Sequence, residues 1–263
     1  MLSISVIMSV YNGELYVDST IRSMLQQEQC PDFEFIIIND CSLDKTGEIL
    51  EDWQKKDSRI VVLKNEKNLG LTKSLNKALA HATGTYIARI DADDIADSLR
   101  LSKQFAFMEL NKDVALCGSF GWIIDAHGHR IREKKFPTAY TEIKKKLLYN
   151  NQFIHSSLFI RRNIIEQIGG YDEYFAKSQD YELVLRIVAE YTVVNIPEPL
   201  ISWRYSKQSL SWQNRGQEWY ALQARIKAVR EYGYPLAKGL CVILVRGLWM
   251  LLPGFIRRLK YEY

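Results

Sequence analysis

The chain has 263 residues, 47% hydrophobic and 25% charged, which suits one large α/β domain with a sizeable core and excludes a disordered or low-complexity protein. Its net charge of +4 resides in the tail, where Lys238, Arg246, Arg257, Arg258 and Lys260 are offset only by Glu262. A neutral body with a basic, apolar end argues against nucleic-acid binding and for an anionic surface met at one end.

Residues 2–10, "LSISVIMSV", read as a buried strand broken by "YNG", and a helical pattern follows with Ile21, Met24 and Leu25 on one face. "FEFIIIN" (33–39) is a continuous apolar run of the kind found in a parallel sheet covered on both faces. A helix from Lys45 to Lys56, a strand at 59–65, a helix within 68–82 and a strand "TYIARI" (85–90) complete the first half. The second half is more mixed. Short strands are expected over 114–136 around "DAHGHR", a helix over 142–149, and a strand at "HSSLFIRR" (155–162). A short glycine-closed helix comes next, then a helix at 178–190 with Ser178 as N-cap, and two strands, "YTVVNI" and "PLISWRY". Two helices finish the chain, the first with Trp219, Leu222, Ile226 and Val229 on one face.

Strand–helix alternation over the first half implies βαβ units, whose ligands bind outside the carboxyl ends of the strands. Three of those ends carry polar clusters: "YNG", "NDCS" and "DADD". Neither a G-x-G-x-x-G nor a P-loop pattern is present. Carboxylates at the end of a core strand need water or a cation, and an Asp-x-Asp such as Asp91–Asp93 can hold Mg²⁺ or Mn²⁺. Taken alone, the pattern is better read as a solvated turn, with Asp94 or Asp97 capping the next helix. Cys30, Cys41, Cys117 and Cys241 are scattered without metal-ligand spacing and read as free thiols of a reducing compartment. The chain enters its first strand without a secretory-type leader, so a cytoplasmic location is expected.

The ordered set "VIMSVYNGE", "IIINDCSLDKT", "NLGLTKSLNKAL", "YIARIDADDI", "HSSLFIRR" and "GGYDE…SQDYELVLR" resembles the family 2 glycosyltransferases with a GT-A fold, from Ser3 to about Ser211. The resemblance implies an α/β, Rossmann-like, mostly parallel sheet flanked by helices, with C-terminal amphipathic helices. A catalytic domain would span 1–212, with a nucleotide-sugar half (1–97) and an acceptor half (98–212), followed by a helical segment over 213–263. It also implies inverting transfer from a nucleoside-diphosphate-sugar, UDP in the commonest case, to a glycan or lipid-linked hydroxyl. By the same resemblance Ser9, Val10 and Tyr11 lie along the nucleoside, Asp40 pairs with the base, and Gly70 and Lys73 border the base and phosphates. Asp91 faces the ribose, Asp93 is the principal ligand of Mn²⁺ or Mg²⁺, and Asp94 acts through water or caps a helix. Asp180 is the catalytic base, and Arg204 adds a cation for the leaving diphosphate. His155 either touches acceptor or pyrophosphate or is a satisfied core histidine. Asn39 and Ser206 depart from the family, which usually has an acid and a histidine there.

His127 and His129 are better explained by a β-turn at Gly128 than by metal binding. Trp122, Trp203 and Trp212 are candidates for stacking on acceptor sugar, against the commoner fate of aromatics as core. The segment 240–256 has one charge, Arg246, in 17 residues; Arg246, Gly247 and Pro253 disfavour spanning. An interfacial helix fits better, peripheral on the inner face of the cell membrane, with residues 238–260 against anionic lipid; the alternative is packing on protein. Two other classes compete: a non-catalytic interaction protein on this fold, and a nucleotidyltransferase, which would show a Gly- and basic-rich loop where "SVYNGELY" stands.

Overall fold

A computed structural model describes residues 2–205 and 215–251. The first half is β1 (Ile4–Val10), α1 (Val17–Leu25), β2 (Phe33–Asn39), α2 (Thr46–Lys56), β3 (Ile60–Lys64), α3 (Leu71–His81) and β4 (Tyr86–Arg89). Alternation along the strands explains the layers. Ile4, Val6 and Met8 face Ile21 and Met24 of α1 and Leu50 of α2, whereas Ile7, Ile36 and Ile38 face Leu75 and Ala78 of α3. The strands pair in parallel in the order β3-β2-β1-β4, the doubly covered arrangement expected of continuous apolar runs.

Beyond β4 come β5 (Ile95–Ala96), α4 (Arg100–Leu110), β6 (Val114–Ile124), β7 (Arg130–Lys134) and α5 (Tyr140–Leu147). After them follow β8 (Phe159–Arg161), α6 (Arg162–Gln167), α7 (Gln179–Glu190) and β9 (Thr192–Arg204). The sheet continues as β8-β6-β9-β5, with β7 on β6. Here β4–β8, β6–β8, β6–β7 and β5–β9 are antiparallel and β6–β9 parallel, so the parallel nucleotide-type half grades into a mixed sheet.

Three local expectations change. The strand read at 155–162 opens as a 3-10 turn over His155–Ser157, and only Phe159–Arg161 pair. The strands read at 191–196 and 199–205 are one, β9: Ile196 pairs with Ser119 and Pro199 with Phe120, so Pro197 and Glu198 form a bulge where a missing N–H does no harm. Ser178 does not cap α7 with its side chain; it has a left-handed φ of 56°, and its hydroxyl donates to the Gln217 carbonyl at 3.0 Å.

The described tail is α8 (Arg215–Glu231) and α9 (Leu236–Leu251). α8 buries Leu222, Ala224, Arg225 and Ala228, while Trp219 is half exposed, so its inner face is rotated towards the alanines, whose small size permits close packing. Gly239 lets α9 lie on α8, since a Cβ there would meet Val229 Cγ2 at 2.2 Å. On its outer side Leu236, Leu240, Leu244, Val245 and Leu248 form an exposed apolar stripe at helical spacing. No helix among the described residues is long and apolar enough to cross a membrane. Ser206, Trp212, Pro253 and the basic residues from Arg257 onward lie outside the described residues.

Candidate active site

The polar strand ends do converge, because β1, β2 and β4 are adjacent and parallel. Their loops are laced together: Asn12 and Gly13 N–H donate to Ser42 Oγ (3.1 Å) and Thr46 Oγ1 (2.8 Å), and Leu43 N–H donates to Asn12 Oδ1 (2.8 Å). Asn12 and Cys41 both have positive φ, which puts two of the four such non-glycine residues among the described residues at this edge. Backbone strain of this kind collects where a site over-determines its loops. Tyr11 is about half exposed at the end of β1, with Val10 buried beneath it.

Asp40 has a duty within the fold itself. It is only 2% exposed; Oδ1 accepts from Asn65 Nδ2 (2.7 Å) and Leu69 N–H (2.8 Å), and Oδ2 accepts from Gly70 N–H (2.8 Å). The carboxylate therefore shapes the loop before α3. Asn39 is also buried and accepts from Ser42 N–H (2.9 Å), which holds the turn after β2. Gly70 opens α3 at φ 84°, ψ 163°, and Lys73 is exposed on the first turn beyond it.

The acidic loop after β4 is built around a buried cation. Arg89 forms a forked ion pair with Asp91. Ser156 Oγ accepts from Arg89 Nη1 (3.1 Å) and Asp91 N–H (3.1 Å), and its own proton lies between the carboxylates of Asp91 (3.0 Å) and Asp94. The Arg89 charge and the two hydrogen bonds hold the Asp91 carboxyl below the usual range despite burial. Asp94 is fully buried and accepts Arg204 N–H at 2.8 Å; burial, then the charges of Asp93 and Asp91, push its pKa well up. It is thus a framework group and not a helix cap. Thr20 Oγ1 anchors the same loop, 2.9 and 2.8 Å from the carbonyls of Ala92 and Asp94.

Arg204 is likewise a strap. Its Nε donates to the Asp93 carbonyl (2.8 Å), its Nη1 to the carbonyls of Asp125 (2.9 Å) and Ala126 (3.0 Å), and its guanidinium covers the Tyr16 ring at 4.3 Å. It is 4% exposed, so its cation reaches the site mainly as a field, pulling on Asp93. Asp93 itself makes no side-chain bond to another of the described residues, and burial followed by the charge of Asp91 raises its pKa to about 6.

No group of three metal-ligating side chains occurs among the described residues. Asp91 is bound to Arg89 and Asp94 is enclosed, which leaves Asp93 as the one loop carboxylate able to coordinate. Such a site fits Mg²⁺ or Mn²⁺ only if phosphate and water supply the other oxygens, as hard cations with few protein ligands commonly require.

Across the acidic loop, Asp180 lies in the first turn of α7, and its Oδ2 accepts from Asn151 Nδ2 at 2.9 Å. Burial raises its pKa; the Tyr181 amide, Arg89 and Asn151 oppose that, and Asp91 adds to it. His155 is partly buried on the 3-10 turn, 2.9 Å from the Tyr171 hydroxyl. Burial and then Arg89 hold its pKa well below the usual value, so it is neutral. The charges of Arg89 and Asp91 both act on it.

Asp91, Asp93, Asp180 and His155 therefore share one electrostatic environment. Arg89, Ser156, Asn151, Tyr171 and Thr20 were not singled out from sequence. Arg89 sits inside an apolar run and Ser156 in a presumed strand, where a polar residue carries no periodic signal. His127 and His129 form a turn with Asp125, whose Oδ1 accepts both their N–H groups at 2.8 and 2.9 Å. Trp122 stacks under Arg130 and Trp203 packs on the core.

The family model described as Glycosyl transferase family 2 matches residues 5–169. An uncharacterized glycosyltransferase of Methanocaldococcus jannaschii is 41% identical over 206 residues, covering 76% of this chain and 70% of that protein. The O-antigen biosynthesis glycosyltransferase WbnJ of Escherichia coli is 35% identical over 78% of this chain and 81% of its own length. Among solved structures, S. aureus TarS 1–349 in complex with UDP-GlcNAc superposes with a TM-score of 0.74 at 17% identity, over 92% of this chain and 70% of TarS 1–349. The mannosyltransferase PcManGT of Pyrobaculum calidifontis, in complex with GDP-Man and Mn²⁺, gives 0.68 at 17% identity, over 94% and 69%. At those identities the two structures speak for the fold.

Proposed function

Because the chain belongs to glycosyl transferase family 2 and has the GT-A fold, we propose that this glycosyltransferase inverts the sugar it transfers, from a nucleoside-diphosphate donor to a hydroxyl of a glycan or lipid-linked acceptor, in cell-surface polysaccharide assembly. The observation that carries the reading is that Asp93 and Asp180, from different halves of the chain, both feel the Arg89–Asp91 pair. In this reading Asp93 serves a cation and Asp180 a proton.

In this reading the acceptor oxygen bonds to the anomeric carbon on the face opposite the diphosphate, and the bond from that carbon to the diphosphate breaks. The acceptor proton ends on Asp180. Burial makes Asp180 a stronger base than an exposed aspartate, while the Tyr181 amide and Asn151 keep its ionised form accessible. General-base help of this kind contributes about 10²–10⁴ in rate. A Mn²⁺ or Mg²⁺ ion held by Asp93 and the donor phosphates would neutralise charge on the leaving group. UDP is the first donor nucleotide to test, since TarS was solved with UDP-GlcNAc; GDP is the second, since PcManGT was solved with GDP-Man. The apolar stripe of α9 and, in the sequence after it, Arg257, Arg258 and Lys260 support a peripheral position on the inner membrane face.

The test is thermal unfolding with UDP, dTDP, GDP or CDP, each with Mn²⁺, Mg²⁺ or EDTA. A ligand at about 100 times its Kd adds about 2.7 kcal/mol, which is readily seen. One nucleotide should raise the Tm, and EDTA should abolish the rise; no rise with any pair sinks the donor-site reading. Asp180→Asn should keep that rise and lose transfer by roughly 10²-fold or more. A variant transferring at the normal rate would remove Asp180 from the base role.

A further inference from the structure

The turn after α5 is held from several sides. Tyr181 Oη donates to the carbonyls of Leu147 (2.8 Å) and Leu148 (3.1 Å). Arg225 of α8, 6% exposed, donates to the carbonyls of Leu148 (2.8 Å) and Tyr149 (3.0 Å). Arg246 of α9 donates to the same Tyr149 carbonyl (2.7 Å) and to Asn150 Oδ1 (2.7 Å). Two cations from the tail thus converge on the carbonyl end of a helix, where the helix dipole and unsatisfied carbonyls favour positive charge. Two residues beyond that carbonyl, Asn151 is fixed in orientation: its Oδ1 accepts Phe153 N–H (3.2 Å), so its Nδ2 is directed to Asp180 Oδ2 (2.9 Å).

We propose that the C-terminal helix pair is part of the catalytic apparatus: Arg225 and Arg246 fix the turn after α5, and Asn151 in that turn is a positioning residue that orients the Asp180 carboxylate. This rests on the reading of Asp180 as the base and adds to it a device that no strand-end motif supplies. The amide donates to the carboxylate, favouring the ionised form a base needs, and orients one of its oxygens. α9 carries the Arg246 contact on one side and the exposed apolar stripe on the other, so whatever seats the stripe also steadies the turn.

The experiment is a pH titration of the full chain labelled with ¹³C-carboxyl aspartate, with the Asp180 resonance identified by its loss in Asp180→Asn. The other groups acting on Asp180 are Arg89 at the end of β4, Asp91 from the acidic loop, Tyr171 from the loop before α7 and Tyr181 on α7 itself, and none of these is changed. Asn151→Ala should raise the Asp180 midpoint by about one pH unit, the scale of one lost hydrogen bond to a carboxylate. Arg246→Ala should raise it in the same direction by less, and Arg246→Lys, still able to donate to the Tyr149 carbonyl, should recover part of the change. Release of nucleoside diphosphate from the donor found above, with octyl glycosides as acceptor probes, should show kcat lowered about tenfold in Asn151→Ala at unchanged donor KM. Its acid limb should move with the NMR midpoint. An unmoved midpoint in both Asn151→Ala and Arg246→Ala, each folded by circular dichroism, overturns the proposal. A moved midpoint with full transfer by Asp180→Asn leaves the positioning device standing and removes the base assignment instead.

Discussion

Asp93 stands in a setting that disfavours its own charge, with burial raising its pKa to about 6 and Asp91 beside it. An acid whose folded pKa exceeds its unfolded one binds its proton more tightly when folded. Between about pH 4 and 6 its contribution to stability therefore falls as pH rises, and the cost is complete above pH 6. Asp93→Asn is expected to stabilise the metal-free protein at about pH 7.5 by about 2 kcal/mol after allowance for partial exposure, and by much less at about pH 4.5. Melting curves at the two pH values check this; equal curves at the higher one would mean that water already satisfies Asp93. For the same reason Mn²⁺-dependent nucleotide affinity should weaken below about pH 6, where proton and cation compete for one carboxylate. Arg89 is the converse case. Arg89→Met leaves Asp91 and the Ser156 hub without their cation, and about 3 kcal/mol is expected, the low end for a broken buried pair because Asp91 is partly wetted. A Tm loss of roughly 6–12 °C would follow for a chain of this size.

At the scale of elements, Gly70 sets the entry to α3 with a backbone conformation open only to glycine. Gly70→Ala should cost about 1–3 kcal/mol, and should also weaken nucleotide binding, because the Gly70 N–H is one of the three donors that immobilise Asp40. Loss of stability without loss of binding would separate the loop from the site. The first half was legible because each strand is an apolar run ended by turn residues, and each helix shows a single apolar face. Legibility fell where a polar side chain served a distant partner. "HSS" looked like the start of a strand, yet Ser156 is buried to join Asp91 and Asp94, and that duty bends the backbone into a turn. β9 looked like two strands because Pro197 and Pro199 interrupt it, and only pairing with β6 shows that the break is a bulge. Asp40 and Arg204 are both expected at the site from sequence, but no local pattern reveals that both brace loops, since their hydrogen-bond partners lie 25 to 111 positions away.

For the whole molecule, α9 presents an apolar stripe outward from a body that is otherwise neutral. Leu244→Ser with Leu248→Ser should reduce co-sedimentation with phosphatidylglycerol vesicles severalfold and leave the melting temperature within about 1 °C, because both side chains are exposed. Unchanged vesicle binding would assign the stripe to another contact. The interlock of the two halves has a kinetic side as well. The loop bearing Asp93 is complete only when Arg204 N–H reaches Asp94 across 110 positions and β5 pairs with β9. Contacts so remote close late, after neighbouring strands and helices have formed. During refolding, helical circular dichroism should thus recover before a fluorescent nucleotide can bind, so that donor binding times the last step by which the chain becomes native.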